Sequence, residues 1–351
     1  MRRSQNNGRT APVTALLKEK EGLRYHGGAV LYAVSACAAG FAGLFQESWA
    51  IRLPATLLLA HGMIIAAYLV HECGHNSIFR RNRHNATLGQ IMTWFCGAAY
   101  GTYEDIRYKH FRHHVDNDDV VWFEYDRFFD RHRWLTKAIQ MLEYVYIPAQ
   151  DLVMHFIMVF TSFIIPQRRN QRGRNIAVIL IRGGVFVAVA IVFPHVALLY
   201  VLAYLLMMQV LRFMDMLQHD YSYNPTLFEY VDPPHKGDDA WEQEHTFSNP
   251  LSLRFEKLNW LTLNFGYHNA HHANMHLPWY RLPALHRELT GDDPARVIPF
   301  ASQLKLFHRN RVLRVCSVQP VDYPQAADYL QAARAGAGPI GGNAASFITS
   351  F

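Results

Sequence analysis

LPATLLLAHGMIIAAYLVHECGH, residues 53–75, is an apolar run that ends in a histidine pair. Leu53 to Val70 comes close to the roughly 20 residues that a helix needs to cross a bilayer. The segment His71-Glu72-Cys73-Gly74-His75 begins where that helix would emerge. On a helix, positions three and four apart share a face, so His71 and His75 point the same way. Two later boxes repeat an HxxHH spacing: His110-Phe111-Arg112-His113-His114 and His268-Asn269-Ala270-His271-His272. One such pair is ordinary in a chain with 20 histidines, but three boxes, two of them repeating, are not. Together they aim eight imidazoles, whereas one tetrahedral zinc takes about four ligands. The set implies two metal ions of the kind imidazole suits: Zn, Cu, Fe or Ni.

The surrounding composition fits a membrane setting. Of 351 residues, 50% are hydrophobic and 18% charged, yet mean hydropathy is −0.06. Long apolar runs must therefore alternate with strongly polar, His-rich stretches. The net charge of +6 does not point to nucleic acid, because Lys and Arg flank apolar runs instead of lining one recognition helix. The cysteines, Cys37, Cys73, Cys96 and Cys316, form no CxxC pair and imply neither a disulfide framework nor a thiolate zinc site. Cys73, inside the first box, reads as a small packed thiol.

Taken in order, residues 1–26 are polar and basic and read as a cytosolic N-terminal segment. The apolar run that follows continues past its small residues, which favours an uncleaved membrane helix over a signal peptide. Four transmembrane helices are expected, at about 28–45, 53–71, 175–193 and 194–214, in two hairpins. Leu88–Gly101 and Asp151–Pro166 are apolar but short, and read as interfacial or half-inserted helices. Basic residues gather at the N-terminus, at Arg80, Arg81 and Arg83, and in Arg168–Arg174, while the turns on the opposite side lack them. The positive-inside rule then places all three boxes on the cytosolic face. The expected fold is an all-α, multi-pass integral membrane protein with a cytosolic His-rich helical cap. Its main domain covers 27–330, and 331–351, rich in Ala and Gly, reads as a disordered tail.

His219 joins the ligand count because it lies just past the fourth helix, at the boundary where the boxes sit, one turn after Asp215. His245 is the next candidate, as a second-shell residue. Metal-bound imidazoles usually pass their other N–H to a carboxylate or carbonyl. Glu72, Asp116, Asp118, Asp119 and Asp215 are the candidate partners, each with the alternative of a solvated loop acid, which is the preferred reading for Asp118 and Asp119. His61, mid-helix, reads as a satisfied polar contact within the bundle, and His276 as a residue able to orient the third box. A nearly carboxylate-free pair of metals at a membrane boundary suits iron that activates O2, since zinc has no redox chemistry. An apolar chain dissolved in lipid could reach such a centre between helices.

These boxes resemble those of the membrane fatty acid desaturase superfamily. Phe111-Arg112-His113-His114, Leu217-Gln218-His219, and His271-His272 followed by Pro278-Trp279-Tyr280 are similar to its second box, its segment after the fourth helix and its third box. The resemblance covers about residues 50–290. It implies that His71, His75, His110, His113, His114, His219, His268, His271 and His272 bind two iron ions, with O2 as co-substrate and a fatty acyl or other lipid substrate. One departure is Asp215, which stands where related acyl-CoA desaturases have an Asn that reaches a metal through water. No heme signature or clustered-Cys segment is present. A separate electron donor, such as a ferredoxin or cytochrome b5, is therefore implied, docking on the basic cytosolic face. Desaturation is the expected reaction; hydroxylation, carotenoid ketolation and oxidative decarboxylation to a terminal alkene are the alternatives within the superfamily. HECGH also matches the HExxH of zinc metalloproteases, with Glu72 as general base, but that reading leaves both HxxHH boxes unexplained. A non-enzymatic metal carrier would need ligands spread through the spanning helices.

Overall fold

The computed structural model describes residues 13–121, 125–221, 226–227, 232–291, 293–313 and 325–338. Among these residues it is all-helical, with no sheet and only isolated bridges such as His219 with Thr246. Three runs are long and apolar enough to cross a membrane: Trp49–Gly74, Pro166–Val192 and Pro194–Asp215. The first is helix α2 and the third is α10. The second joins α8 (Arg172–Val178) to α9 (Gly184–Val192) through a π turn at Ile179–Gly183. Leu180, Ile191 and Val192 on this run are 68%, 76% and 63% exposed, an apolar face that lipid would cover. The first expected span, at about 28–45, is helix α1 (Gly22–Gly43), which is long enough but less apolar than these three.

Helices α1 and α2 pack so closely because small residues line their seam. A Cβ on Gly40 would lie 2.6 Å from the Leu59 backbone nitrogen, and one on Gly62 would lie 2.9 Å from that of Cys37. Ala33 and Ala36 continue the seam, fully or almost fully buried. Without water to drive association inside a bilayer, such close backbone approach is the usual device.

Helix α3 (Asn82–Cys96) returns alongside α2, ends at Gly97 in the left-handed region, and leads back through Ala98–Thr102 into α4 (Tyr103–Asp116). Carbonyls at such a turn would lack partners in an apolar setting. Two arginines of the Pro166–Val192 run supply them: Arg174 donates to the Ala99, Tyr100 and Gly101 oxygens, and Arg182 donates to the Trp94 oxygen at 2.8 Å. The expected basic loop is therefore partly spent inside the fold, since Arg168 also pairs with Asp105 and Arg172 donates to the Ser162 oxygen at 2.9 Å. The second short apolar segment is α7 (Ala149–Ile164). It is tied to α6 (Arg133–Tyr144) and α10 by a buried triad in which Arg212 grips Glu143 at 2.6 and 2.9 Å and also pairs with Asp151.

The polar cap follows α10: α11 (Asp239–Glu244), α12 (His268–Ala273), α13 (Leu282–Thr290), α14 (Phe300–Asn310) and α15 (Ala326–Ala335). The N-terminal segment is sewn to it, with Lys18 donating to the His276 oxygen and Tyr280 donating to Glu19. The expected disordered tail, 331–351, begins inside a helix. Ala333 is fully buried, and Tyr329 one turn before it stacks on Phe247 at 4.8 Å, because α15 closes a small apolar cluster with Leu217 and Ile298. Residues 1–12 and 339–351, with Cys316, lie outside the described residues.

Candidate metal centre

Four segments deliver the nine histidines. Helix α2 presents His71 and His75 at its end. Helix α4 starts on Thr102, whose hydroxyl accepts the Asp105 N–H, carries Glu104 and Asp105 in its first turn, and presents His110, His113 and His114. It stops at Asn117, whose φ of 56° is left-handed and turns the chain back over His113. His219 lies just beyond α10, and α12 presents His268, His271 and His272.

All nine are 5% exposed or less, and they converge. His71, His75, His110 and His271 bring one ring nitrogen each within 4.8 Å of the others, and so do His113, His219, His268 and His272. His114 adds its Nε2 to the first group, 3.2 Å from that of His110 and 3.1 Å from that of His271. In the second group, His268 Nε2 is 2.8 Å from His219 Nε2 and 3.1 Å from His272 Nε2. Ligand nitrogens around one octahedral ion with bonds near 2.1 Å would lie ~3.0 Å apart at adjacent positions and ~4.2 Å across it. The Nε2 separations of 2.8–3.2 Å given above are close to the shorter of these distances. The two groups touch through His114 and His272, whose ring centroids are 4.2 Å apart.

The donors also have the right charge state. Burial, then the other imidazoles, holds His110, His114, His219, His268 and His272 well below the usual histidine range. Burial pushes His271 down to about 3. Lone pairs stay available because the cationic form would be both desolvated and repelled. Each group could therefore hold a metal ion.

The residues that steer these rings are mostly not the expected ones. Glu242 accepts from His272 Nδ1 at 2.6 Å and lies 3.9 Å from His114 Nδ1. Burial raises its carboxyl to about 7. The Asp118 backbone oxygen lies 3.0 Å from His113 Nδ1, and the Asp119 carboxylate 3.4 Å from it; both aspartates are buried instead of solvated, because the left-handed turn folds them inward. Glu72 meets none of the nine: its Oε2 accepts from Ser77 Oγ at 2.7 Å and from the Trp279 N–H at 3.3 Å. Asp116 pairs with Arg112 at 2.7 Å and Lys236 at 3.6 Å. The His245 imidazole bonds Asp220 at 2.8 Å, and it is the His245 backbone that meets His219. Asp215 is buried beside Lys109, whose ammonium burial pulls down to about 7 against the opposing pull of Asp119 and Asp215. His276 Nδ1 meets the His75 backbone oxygen at 2.8 Å, so it steadies the first box from the loop after the third. His61 bonds the Tyr32 hydroxyl and the Leu261 oxygen, as a packed polar residue should.

Membrane-length apolar helices that lead into two adjoining four-imidazole groups, with Glu242 beside His114 and His272, define a class: helical proteins with paired candidate metal pockets at the ends of apolar helices. A family model, fatty acid desaturase, matches residues 47–303, and the chain belongs to that family of oxidoreductases. No curated protein and no solved structure matches the chain.

Proposed function

We propose that the nine histidines hold two iron ions and that the protein introduces a double bond into a fatty acyl chain, using O2 and electrons from a separate carrier. The convergence of nine buried imidazoles into two adjoining pockets supports this reading most directly. His71, His75, His110, His114 and His271 would hold one ion, and His113, His219, His268 and His272 the other. Iron supplies there, with O2, an oxidant strong enough for an unactivated C–H bond, which no side-chain acid or base can attack. Overall, two hydrogens leave the chain, and O2 with two electrons and two protons ends as two waters.

The protein's own groups bind, orient and exclude. Glu242 and Asp119 hold the His272 and His113 rings by the nitrogens that face away from the metals. Phe265 lies 5.3 Å from both His71 and His268 and 5.0 Å from Tyr68, covering the pockets with apolar surface. A cavity of about 580 Å³, lined by Phe41, Trp94, Val189, Tyr200 and Tyr204, lies between apolar helices, where a lipid chain could enter. Tyr204 on its wall bonds His155 at 2.7 Å. In this reading α1 is the fourth crossing and the cap faces the cytosol.

The protease alternative needs Glu72 at the metal, and Glu72 is engaged elsewhere. Cells expressing the protein and fed labelled fatty acids should contain a new alkene, and purified protein about two iron atoms per chain. An alcohol, a ketone or a shortened terminal alkene as product would reassign the reaction on the same centre. One zinc per chain with no oxidised lipid would overturn the reading.

A further inference from the structure

The nine imidazoles are shut away from solvent, so no redox partner can touch a ligand directly. Electrons must cross protein to reach the metals. From the second pocket a row of rings leads outward. His219 stacks on Tyr221 at 4.3 Å and 29°, Tyr221 faces Trp241 at 5.3 Å and 23°, and Trp241 lies on His235 at 4.0 Å and 2°. Exposure rises along the row: Tyr221 is 2% exposed, whereas Trp241 and His235 are half-buried. Trp241 is fixed in place, its backbone N–H donating to Asp238 at 3.0 Å and its ring stacking on His245 at 4.1 Å, which Asp220 holds in turn.

We propose that His235, Trp241 and Tyr221 form the route by which single electrons pass from a docked carrier protein to the metal pair through His219. Near-parallel rings with centroids 4.0–5.3 Å apart make a row of short through-space steps between π systems. Each passage oxidises the carrier by one electron and lowers one metal ion by one oxidation level. Two passages re-arm the pair for one O2, and the rings end unchanged. Among the described residues, the exposed charged side chains that flank His235 and Trp241 in sequence are Asp232, Asp238, Asp239 and Glu244 against Lys236. A carrier that docks here therefore presents a basic contact face, the reverse of the acidic partner that a basic docking surface would select. The route rests on the metal pair proposed above, and is independent of which lipid product forms.

The test uses full-length, iron-loaded protein in detergent. A ruthenium tris-bipyridine photoreductant is attached through Asp239→Cys in a Cys316→Ser background, and a laser flash injects one electron while the absorbance of the oxidised iron pair is followed. Trp241→Leu and Tyr221→Leu should slow reduction by about tenfold or more with iron content unchanged, and Trp241→Tyr should restore most of the rate. Iron that is retained in Trp241→Leu and reduced at the wild-type rate overturns the route. Should Tyr221→Leu lose iron, Trp241→Leu decides alone, because Trp241 stacks on none of the nine histidines. Failure of the wild-type protein to bind iron is a different result, and it overturns the metal pair itself.

Discussion

At the scale of single residues, a neutral imidazole inside this protein is a ligand and a protonated one is a buried, repelled cation. The depressed histidines bind protons in the unfolded chain below its ordinary value near 6.5, but not in the fold until far lower. Their contribution to stability is complete above pH 6.5 and is lost as pH falls from there toward about 3, the value of His271. The unfolding temperature of metal-free protein should therefore hold between pH 7.5 and 6.5 and fall from there to pH 5, as scanning calorimetry would show. His271→Ala should remove both iron and activity, whereas His308→Ala, whose ring bonds the Tyr146 hydroxyl at the surface, should remove neither in a metal assay. Glu242→Gln should weaken iron binding by about 10–100-fold, measured by competition with a chelator. Eight of the nine histidines were legible in the sequence because a fixed spacing carries them, and His219 because it follows the last apolar run at the same boundary. Glu242 was not, because it reaches its ring through the packing of α11 against α12, and Asp119 stood out from its neighbouring acids only once the left-handed turn at Asn117 folded it onto His113, a meeting that no offset along the chain encodes.

At the scale of elements, apolar length revealed α2 and α10 to within a few residues, and turn chemistry hid the rest. Nothing in Leu88–Gly101 signals that arginines some eighty residues later will cap its carbonyls. Likewise the Arg212 triad joins three helices through charges that, read along the chain, look like flanking residues. Arg212→Ala would leave Glu143 and Asp151 buried without their cation, and should cost about 3–5 kcal/mol. Chemical denaturation in detergent micelles would read the loss. Gly40→Leu should separate α1 from α2, since its Cβ alone already meets the Leu59 backbone. The expected outcome is a fall in folded yield on size-exclusion chromatography, with no variant of Gly28, which has open space, behaving the same way.

At the scale of the whole molecule, the convergence of all three boxes at one end of the apolar helices is what the site requires, and the proposed four crossings would provide it. Single cysteines test this. A label that cannot enter the membrane should reach Glu47→Cys only from outside intact cells and Lys257→Cys only after the cells are opened. Reaction at both positions from the same side would remove the cytosolic placement of the cap.

The joints between distant segments carry one more implication. Glu72 holds the Trp279 N–H, His276 meets the His75 oxygen, and Lys18 holds the His276 oxygen, and none of these bonds uses a nitrogen that would face an ion. The receptacle is thus braced by groups that take no part in holding a metal. Loading can follow insertion and folding instead of driving them, so stripping the iron with a chelator should leave the circular dichroism spectrum unchanged, and ferrous salt added afterwards should revive the same molecules.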